Sequence, residues 1–118
     1  MKISSTLARF LNLMSAIRDL SPFELLNAEE ELLLNDLIVR WYGSATLTVG
    51  EVINDPRYPS STTAYRRLVA LKDKGIIALD VALNDKRVRH IRPTKASLLY
   101  IRKLEDGLEQ IIADTRSA

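Results

Sequence analysis

The sequence predicts a mostly helical α+β fold in which five helices accompany one two-stranded antiparallel hairpin. Apolar residues recur at spacings of three and four near both ends of the chain, which is typical of amphipathic helices. Residues 77–92 instead alternate between apolar and polar on either side of a turn, which indicates paired strands. A chain of 118 residues supports one hydrophobic core, so we expect a single domain over 1–118.

The first predicted element is an amphipathic helix within residues 1–20. Its apolar side chains fall along one side of a helix and are Ile3, Leu7, Phe10, Met14 and Ile17. The segment Ser21 to Glu24 then offers a cap, a proline at the first helical position and an acid three residues after the cap. We expect the chain to change direction there. A capping box of Asn27 and Glu30 opens a second helix, which ends near Gly43.

A short third helix is predicted from its own capping box, formed by Thr48 and Glu51. Leu47, just before it, is a candidate for a short extended piece, and Asn54 is a stop for the helix. The segment from Asp55 to Pro59 is a connection, because each of its prolines disfavours helix at the preceding residue.

The fourth helix is capped by Ser60 or Ser61 and is expected to run to Lys74. Its apolar residues Ala64, Leu68 and Leu71 share one side and predict its buried face. Gly75 follows two lysines, which is typical of a left-handed helix end with cations near the negative end of the dipole.

The hairpin and a long final helix complete the chain. Ile77 to Val81 and Val88 to Arg92 are the predicted strands, and Asn84-Asp85 supplies the turn chemistry. Pro93 ends the second strand, and the last helix is predicted over 94–117 with Thr94 as its cap. Its apolar positions are Ile101, Leu104, Leu108 and Ile111.

Positive charge is concentrated in one part of the sequence. Residues 57–95 contain ten Lys or Arg and three acidic residues, whereas the rest of the chain contains seven and twelve. Such asymmetry indicates that one face meets a polyanion. A polar-faced helix followed by a basic hairpin predicts that this polyanion is DNA.

Several classes of function are disfavoured by what the sequence lacks. Without cysteine there is no disulfide framework, thiolate metal site or thiol redox switch. The lone His90 is a poor metal site, and the acidic run Glu29-Glu30-Glu31 is interpreted as a stabilised helix start. No catalytic constellation emerges, so we expect neither an enzyme nor a cofactor. With no signal-peptide pattern and no bilayer-length apolar segment, a cytoplasmic protein without membrane contact is expected.

The order of the predicted elements is that of a winged helix-turn-helix with additional helices at both ends. Ser61 to Ile77, with its Arg, Leu and Lys-Gly-hydrophobic ending, resembles the recognition helix of MarR-type transcription regulators. Asp85-Lys86-Arg87, with Ile91 and Thr94, resembles the wing signature of that family. The resemblance covers residues 26–98 and implies a winged-helix core over 27–93. Pro93 and Ser97 depart from it, because leucine and glycine are usual there.

Candidate DNA-binding residues lie in the fourth helix and the hairpin. Short polar side chains at the start of a helix can approach base edges in a major groove, while arginine reaches guanine or phosphate. The helix candidates are Ser61, Thr62, Thr63, Tyr65, Arg66 and Arg67, and the wing candidates are Lys86, Arg87 and Arg89. The alternative is that Ser61 only caps and the threonines form a solvated face.

Two of these candidates, and Asp85 beside the wing candidates, have a stronger structural interpretation. Tyr65 lies at the border of the apolar face, so its ring can pack while its hydroxyl contacts phosphate or water. Arg67 is also interpreted as more structural than DNA-binding. Asp85 is expected to form the hairpin turn and to pair with basic neighbours.

The terminal helices, 1–20 and 94–117, are predicted to form a homodimer interface. Their apolar stripes are close to the heptad period, and one small winged helix cannot easily cover both. The residues predicted in the interface are Ile3, Leu7, Phe10, Met14, Ile17, Ile101, Leu104, Leu108 and Ile111. The alternative is that the two helices pack on their own domain. Gly107 inside the last helix is expected to weaken it by roughly 1 kcal/mol relative to alanine.

These observations together predict a homodimeric, sequence-specific double-stranded DNA-binding regulator of MarR-like type. The alternative is a winged-helix module for protein–protein interaction without sequence-specific DNA binding, because a fold alone does not determine a function. Nothing in the sequence identifies an operator, a direction of regulation or a small-molecule effector.

Overall fold

The computed structural model describes residues 1–44 and 46–117. Within these residues it contains five α-helices, a single 3₁₀ turn at Phe23–Leu25 and one two-stranded sheet. The elements in chain order are α1 (Ser5–Arg18), α2 (Ala28–Gly43), α3 (Val49–Ile53), α4 (Ser61–Asp73), β1 (Ile77–Val81), β2 (Arg89–Pro93) and α5 (Lys95–Ser117). The mostly helical α+β fold with a two-stranded wing is therefore confirmed.

The helix boundaries follow the predicted caps. Asn27 and Glu30 form both halves of the capping box: Asn27 Oδ1 accepts from the Glu30 N–H at 2.8 Å, and Glu30 Oε1 accepts from the Asn27 N–H at 3.0 Å. At the start of α4 the cap is Ser60, whose Oγ accepts from the Thr63 N–H at 3.1 Å. Gly75 has a φ of 77°, a left-handed conformation that favours glycine and ends the helix.

Two local predictions were wrong in detail. Ser21 does not cap a helix, because a 3₁₀ turn begins at Phe23 after Pro22 and has no side-chain cap. The second strand is displaced by one residue and covers Arg89–Pro93. Val88 belongs to the turn, since its N–H donates to the Asp85 carbonyl at 3.1 Å and its carbonyl accepts from the Ala82 N–H at 2.9 Å.

The wing is attached to the helical core along β2. β1 and β2 pair antiparallel, with Leu79 opposite Ile91. The Ile91 N–H donates to the Leu47 carbonyl at 2.8 Å, and the Ile91 carbonyl accepts from Trp41 Nε1 at 2.9 Å. These bonds hold the hairpin against the end of α2 and the segment before α3. The buried core beneath it contains Leu33, Leu34, Leu37, Val52, Leu68, Leu71, Ile76 and Ile91.

Ser97, where the MarR-type pattern has glycine, is fully buried at the start of α5. Its Oγ accepts from the Thr94 N–H at 2.8 Å, and Thr94 Oγ1 accepts from the Ser97 N–H at 3.3 Å. The serine therefore completes a reciprocal cap for α5, and its own buried hydroxyl has hydrogen-bond partners.

The terminal helices pack antiparallel on each other within the same chain. Thr6 and Thr115 are joined through their hydroxyls at 3.1 Å, and Arg9 pairs with Asp114. Further along the pair, Leu13 lies directly over Gly107: a Cβ at position 107 would come within 2.4 Å of Leu13 Cδ1. The glycine therefore lowers helix propensity but makes room for the leucine of the other helix.

Candidate nucleic-acid interface

The outer face of α4 is free of cover by the chain itself. Ala64, Leu68 and Leu71 are completely buried beneath the helix. Thr62 and Arg66, which lie on the opposite side, are exposed, and so is Ser61 at the first turn. In the described residues this face of the helix is therefore open to solvent.

One flank of α4 is engaged with the rest of the domain. Thr63 is partly buried, and its hydroxyl accepts from Ser60 Oγ at 3.0 Å as part of the helix cap. The Arg67 side chain is only 21% exposed, and its Nη2 lies 3.0 Å from Glu29 Oε2 at the start of α2. Thr63 is thus used in the cap of α4, and Arg67 is used in packing α4 against α2, which agrees with the structural interpretation of Arg67.

The other flank of α4 is connected to the wing. The hydroxyl of Tyr65 accepts a hydrogen bond from Arg89 Nη1 at 3.0 Å, across 24 residues of sequence. At the hairpin tip, Asp85 Oδ1 accepts from the Arg87 N–H at 3.0 Å and from Arg87 Nε at 3.2 Å. The expectation that Asp85 forms the turn and pairs with a basic neighbour is confirmed. Lys86 is exposed beside it.

A cleft of about 460 Å³ lies between α3, α4 and the hairpin. Its walls combine two arginines, two hydroxyl-bearing residues and an apolar surface. They are lined by Thr48, Val49, Gly50, Ile53, Tyr65, Arg87, Val88 and Arg89. The structure thus brings Tyr65 together with two of the three wing candidates.

The α3 wall of this cleft was not among the predicted site residues. Val49 and Ile53 are apolar residues at helical spacing, so the sequence marks them only as core. Their place beside the wing depends on the pairing of β2 with the Leu47 segment, a contact between residues more than forty positions apart. No local pattern carries that information.

Half of the cations in residues 57–95 are paired with carboxylates in the folded chain. Five of the ten cations in 57–95 form ion pairs, and several of their partners come from the acidic part of the chain. The pairs are Arg57 with Asp36 and Asp55, Arg67 with Glu29, Lys74 with Glu30, Arg87 with Asp85, and Arg92 with Asp80. Among the described residues, the cations outside ion pairs in this stretch are Arg66, Lys72, Lys86, Arg89 and Lys95.

A polar cluster holds the connection before α4 against α2. Asp36 Oδ2 accepts from the Tyr58 hydroxyl at 2.5 Å and from Arg40 Nε at 3.1 Å, and Asp36 Oδ1 accepts from Arg57 Nη2 at 2.9 Å. Arg40 also pairs with Asp55. The connection is therefore anchored at the point where the chain enters the candidate recognition helix.

The carboxylates of this cluster are held in their charged form. Burial raises the pKa of Asp36, but hydrogen bonds from Tyr58, Arg40 and Arg57 outweigh it and keep that pKa below its usual range. The backbone N–H and the guanidinium of Arg57 lower the pKa of Asp55 to about 2. Both groups stay ionised at neutral pH.

The predicted dimer residues divide into two groups. Ile17 and Ile111 are 6% and 4% exposed, so the chain itself buries them, and Met14, Ile101 and Leu104 are partly covered. Ile3, Leu7, Phe10 and Leu108 remain exposed, and so do Leu11 of α1 and Ile112 of α5. A cavity of about 220 Å³ opens beside them and is lined by Phe10, Leu13, Met14, Ile38, Ile101, Leu104, Glu105 and Leu108.

The fold is similar to solved structures although the sequence is not. The YusO protein of Bacillus subtilis superposes with a TM-score of 0.57 at 17% identity, over 95% of this chain and 71% of that chain. The organohalide-sensing transcriptional regulator RdhR-CbdbA1625, in its 2,4-dichlorophenol-bound form, gives a TM-score of 0.57 at 11% identity, over 94% and 61%. This chain thus spans less than two thirds of the second protein. At these identities the likeness shows the winged-helix fold alone.

No protein-family model and no curated protein matches the sequence. Among the helices of 1–44 and 46–117, none combines the length and apolar character that a membrane crossing requires.

Proposed function

We propose that this chain is a homodimeric transcription regulator of MarR-like type that binds double-stranded DNA in a sequence-specific manner. The observation that carries the proposal is the joint surface of α4 and the hairpin, where Thr62 and Arg66 are exposed and Tyr65 is bonded to Arg89. A reading helix and a basic wing on one surface suit a duplex. The winged-helix likeness to a protein described as a transcriptional regulator supports the same function.

The two parts of the surface have different roles in this proposal. Thr62 and Arg66 enter the major groove, where arginine recognises guanine through O6 and N7. Lys86, Arg87 and Arg89 contact the backbone or the adjacent minor groove, which supplies affinity that depends little on sequence. Arg66→Ala is therefore expected to narrow the affinity gap between the selected site and random DNA, whereas Arg87→Ala weakens both alike. A titration with the reverse pattern would reject these roles.

The exposed apolar residues of α1 and α5 support the homodimer. Ile3, just before α1, is 70% exposed, and Leu7, Phe10 and Leu108 are exposed as well; a second copy of the chain would cover them. The radius of gyration is 16.4 Å, whereas a compact chain of this length has about 13 to 14 Å. An elongated monomer with an uncovered apolar side is a typical dimer subunit.

Selection of bound sequences from a random duplex pool tests the whole proposal. A twofold regulator should enrich two inverted half-sites whose centres lie about one helical turn apart, roughly 34 Å, or a multiple of it. Enrichment of a single unrepeated motif would contradict the dimer, and the absence of any enrichment or gel shift would contradict DNA recognition.

A protein–protein interaction module remains the second candidate, because α2 has an exposed apolar outer face. Leu32, Val39 and Tyr42 are exposed there, and Tyr42 is 95% exposed. In that case the selection yields no motif, and substitution of Val39 by lysine abolishes partner binding. A motif that survives Val39→Lys favours the DNA proposal.

A further inference from the structure

The bond between Tyr65 and Arg89 leaves unused donors beside the cleft. The Tyr65 hydroxyl accepts from Arg89 Nη1 at 3.0 Å and so holds one end of the guanidinium, while the other guanidinium N–H groups remain available to donate. A guanidinium has five N–H donors, and Arg89 forms no ion pair among the described residues. The pair therefore presents several donors and a positive charge with no acidic residue lining the same cleft. That combination fits an anionic oxygen.

The residues that line the cleft suit a sugar–phosphate strand. Val49, Ile53 and Val88 give it an apolar wall, and Thr48, Arg87 and Arg89 give it polar groups. A deoxyribose has an apolar C–H surface and a phosphate has charged oxygens, so one strand of a duplex can satisfy both parts. A free inorganic anion would use only the polar part.

The position of the cleft also agrees with the geometry of a duplex. One phosphodiester strand separates the major groove from the adjoining minor groove. If α4 lies in the major groove and the hairpin reaches toward the minor groove, that DNA strand must pass between α4 and the hairpin. The cleft lies between α4 and the hairpin.

We infer that the cleft binds a backbone phosphate of the strand between the two grooves, and that Tyr65 is the positioning residue for Arg89. This inference rests on the proposed DNA binding and specifies which part of the duplex the cleft holds. Tyr65 holds the guanidinium in place before the duplex arrives, so less side-chain freedom is lost on binding. The contact carries no sequence information and contributes equally to all duplexes.

The test compares Tyr65→Phe, Arg89→Ala and the double variant, with Tyr42→Phe as a matched control on the outer face of α2. Tyr65→Phe keeps the ring and removes only the hydroxyl. It is expected to weaken binding to selected and random duplexes by a similar factor, about tenfold for a charge-assisted bond. The slope of log K against log salt concentration should not change. Arg89→Ala should also reduce the magnitude of the slope by about 1.8, because each dimer loses two phosphate contacts. Tyr42→Phe should behave as the wild type does.

Non-additivity separates positioning from direct contact. If Tyr65 acts only through Arg89, the double variant binds no more weakly than Arg89→Ala does. Additive losses would show that Tyr65 contacts the duplex independently, and wild-type affinity in Tyr65→Phe would show that it positions nothing. Either result would overturn the assignment of Tyr65.

Neutral backbone substitution locates the phosphate itself. Single methylphosphonates are placed one at a time along the selected duplex. At one position per half-site the affinity of the wild type should fall about tenfold, whereas the affinity of the Arg89→Ala variant should not change. If every position affects both proteins equally, the cleft does not hold a phosphate. A wild type that binds no duplex would instead reject the proposed function as a whole, so the two failures are distinguishable.

Discussion

The salt dependence of DNA binding can be worked out from the cations that the proposal places on the DNA backbone. These are Lys86, Arg87 and Arg89, all of them exposed, three in each subunit. Six phosphate contacts per dimer give a slope of log K against log salt of about −5, so affinity should fall by about 10³ between 50 and 200 mM salt. Counting all ten cations of residues 57–95 would instead predict a slope of about −18.

A series of fluorescence-anisotropy titrations at several salt concentrations measures this slope directly. Lys86→Ala should reduce its magnitude by about 1.8, because each dimer loses two phosphate contacts, and Arg102→Ala, an exposed arginine on α5, should leave it unchanged. A slope near −18 would mean that the other cations of residues 57–95 also contact DNA and that the ion pairs of Arg57, Arg67, Lys74 and Arg92 break on binding. A slope of about −2 or less in magnitude would refute the assignment of this surface to a duplex.

Three further predictions concern the fold and the assembly. Asp36→Asn should destabilise the domain by about 2 to 3 kcal/mol, because it removes the charge that pairs with the partly buried Arg40 and with the exposed Arg57. Since the pKa of Asp36 is lowered by folding, its contribution is present above about pH 4 and is lost as the pH falls further, so urea unfolding of the variant should depend less on pH in that range. Gly107→Ala should stabilise by about 1 kcal/mol in a Leu13→Ala background, where the new methyl group has room, and should be less favourable in the wild type, where the methyl group displaces the Leu13 side chain. Equal changes in the free energy of unfolding in both backgrounds would contradict the contact. Leu7→Lys should give monomers in sedimentation velocity, whereas Val39→Lys, at an exposed position on α2, should remain dimeric.

The local elements of this fold could be predicted because their signals involve residues close in sequence. A capping box such as that of Asn27 and Glu30 spans four residues, and the left-handed end at Gly75 depends on a single φ. The buried face of α4 follows equally from the spacing of its apolar residues. Val88 was predicted to begin the second strand, but its backbone forms hydrogen bonds of the turn instead.

The candidate site could be predicted only in part. The exposed positions Thr62 and Arg66 follow from helical periodicity, because they lie opposite the buried stripe. The role of Arg67 could not be decided in the same way, since its partner Glu29 belongs to another helix. The cleft beside Tyr65 needs three elements in contact, and periodicity describes only one element at a time.

By itself, the sequence determined which segments form helices and strands, and which side of each helix is apolar, because these depend on neighbouring residues. Only the tertiary structure decided which charges remain available and where the wing lies. Lys74 is neutralised by Glu30 across 44 residues, and Tyr65 meets Arg89 across 24. The physical reason is that an ion pair or a cleft requires groups to be close in space, and chain folding brings together residues that no sequence spacing relates.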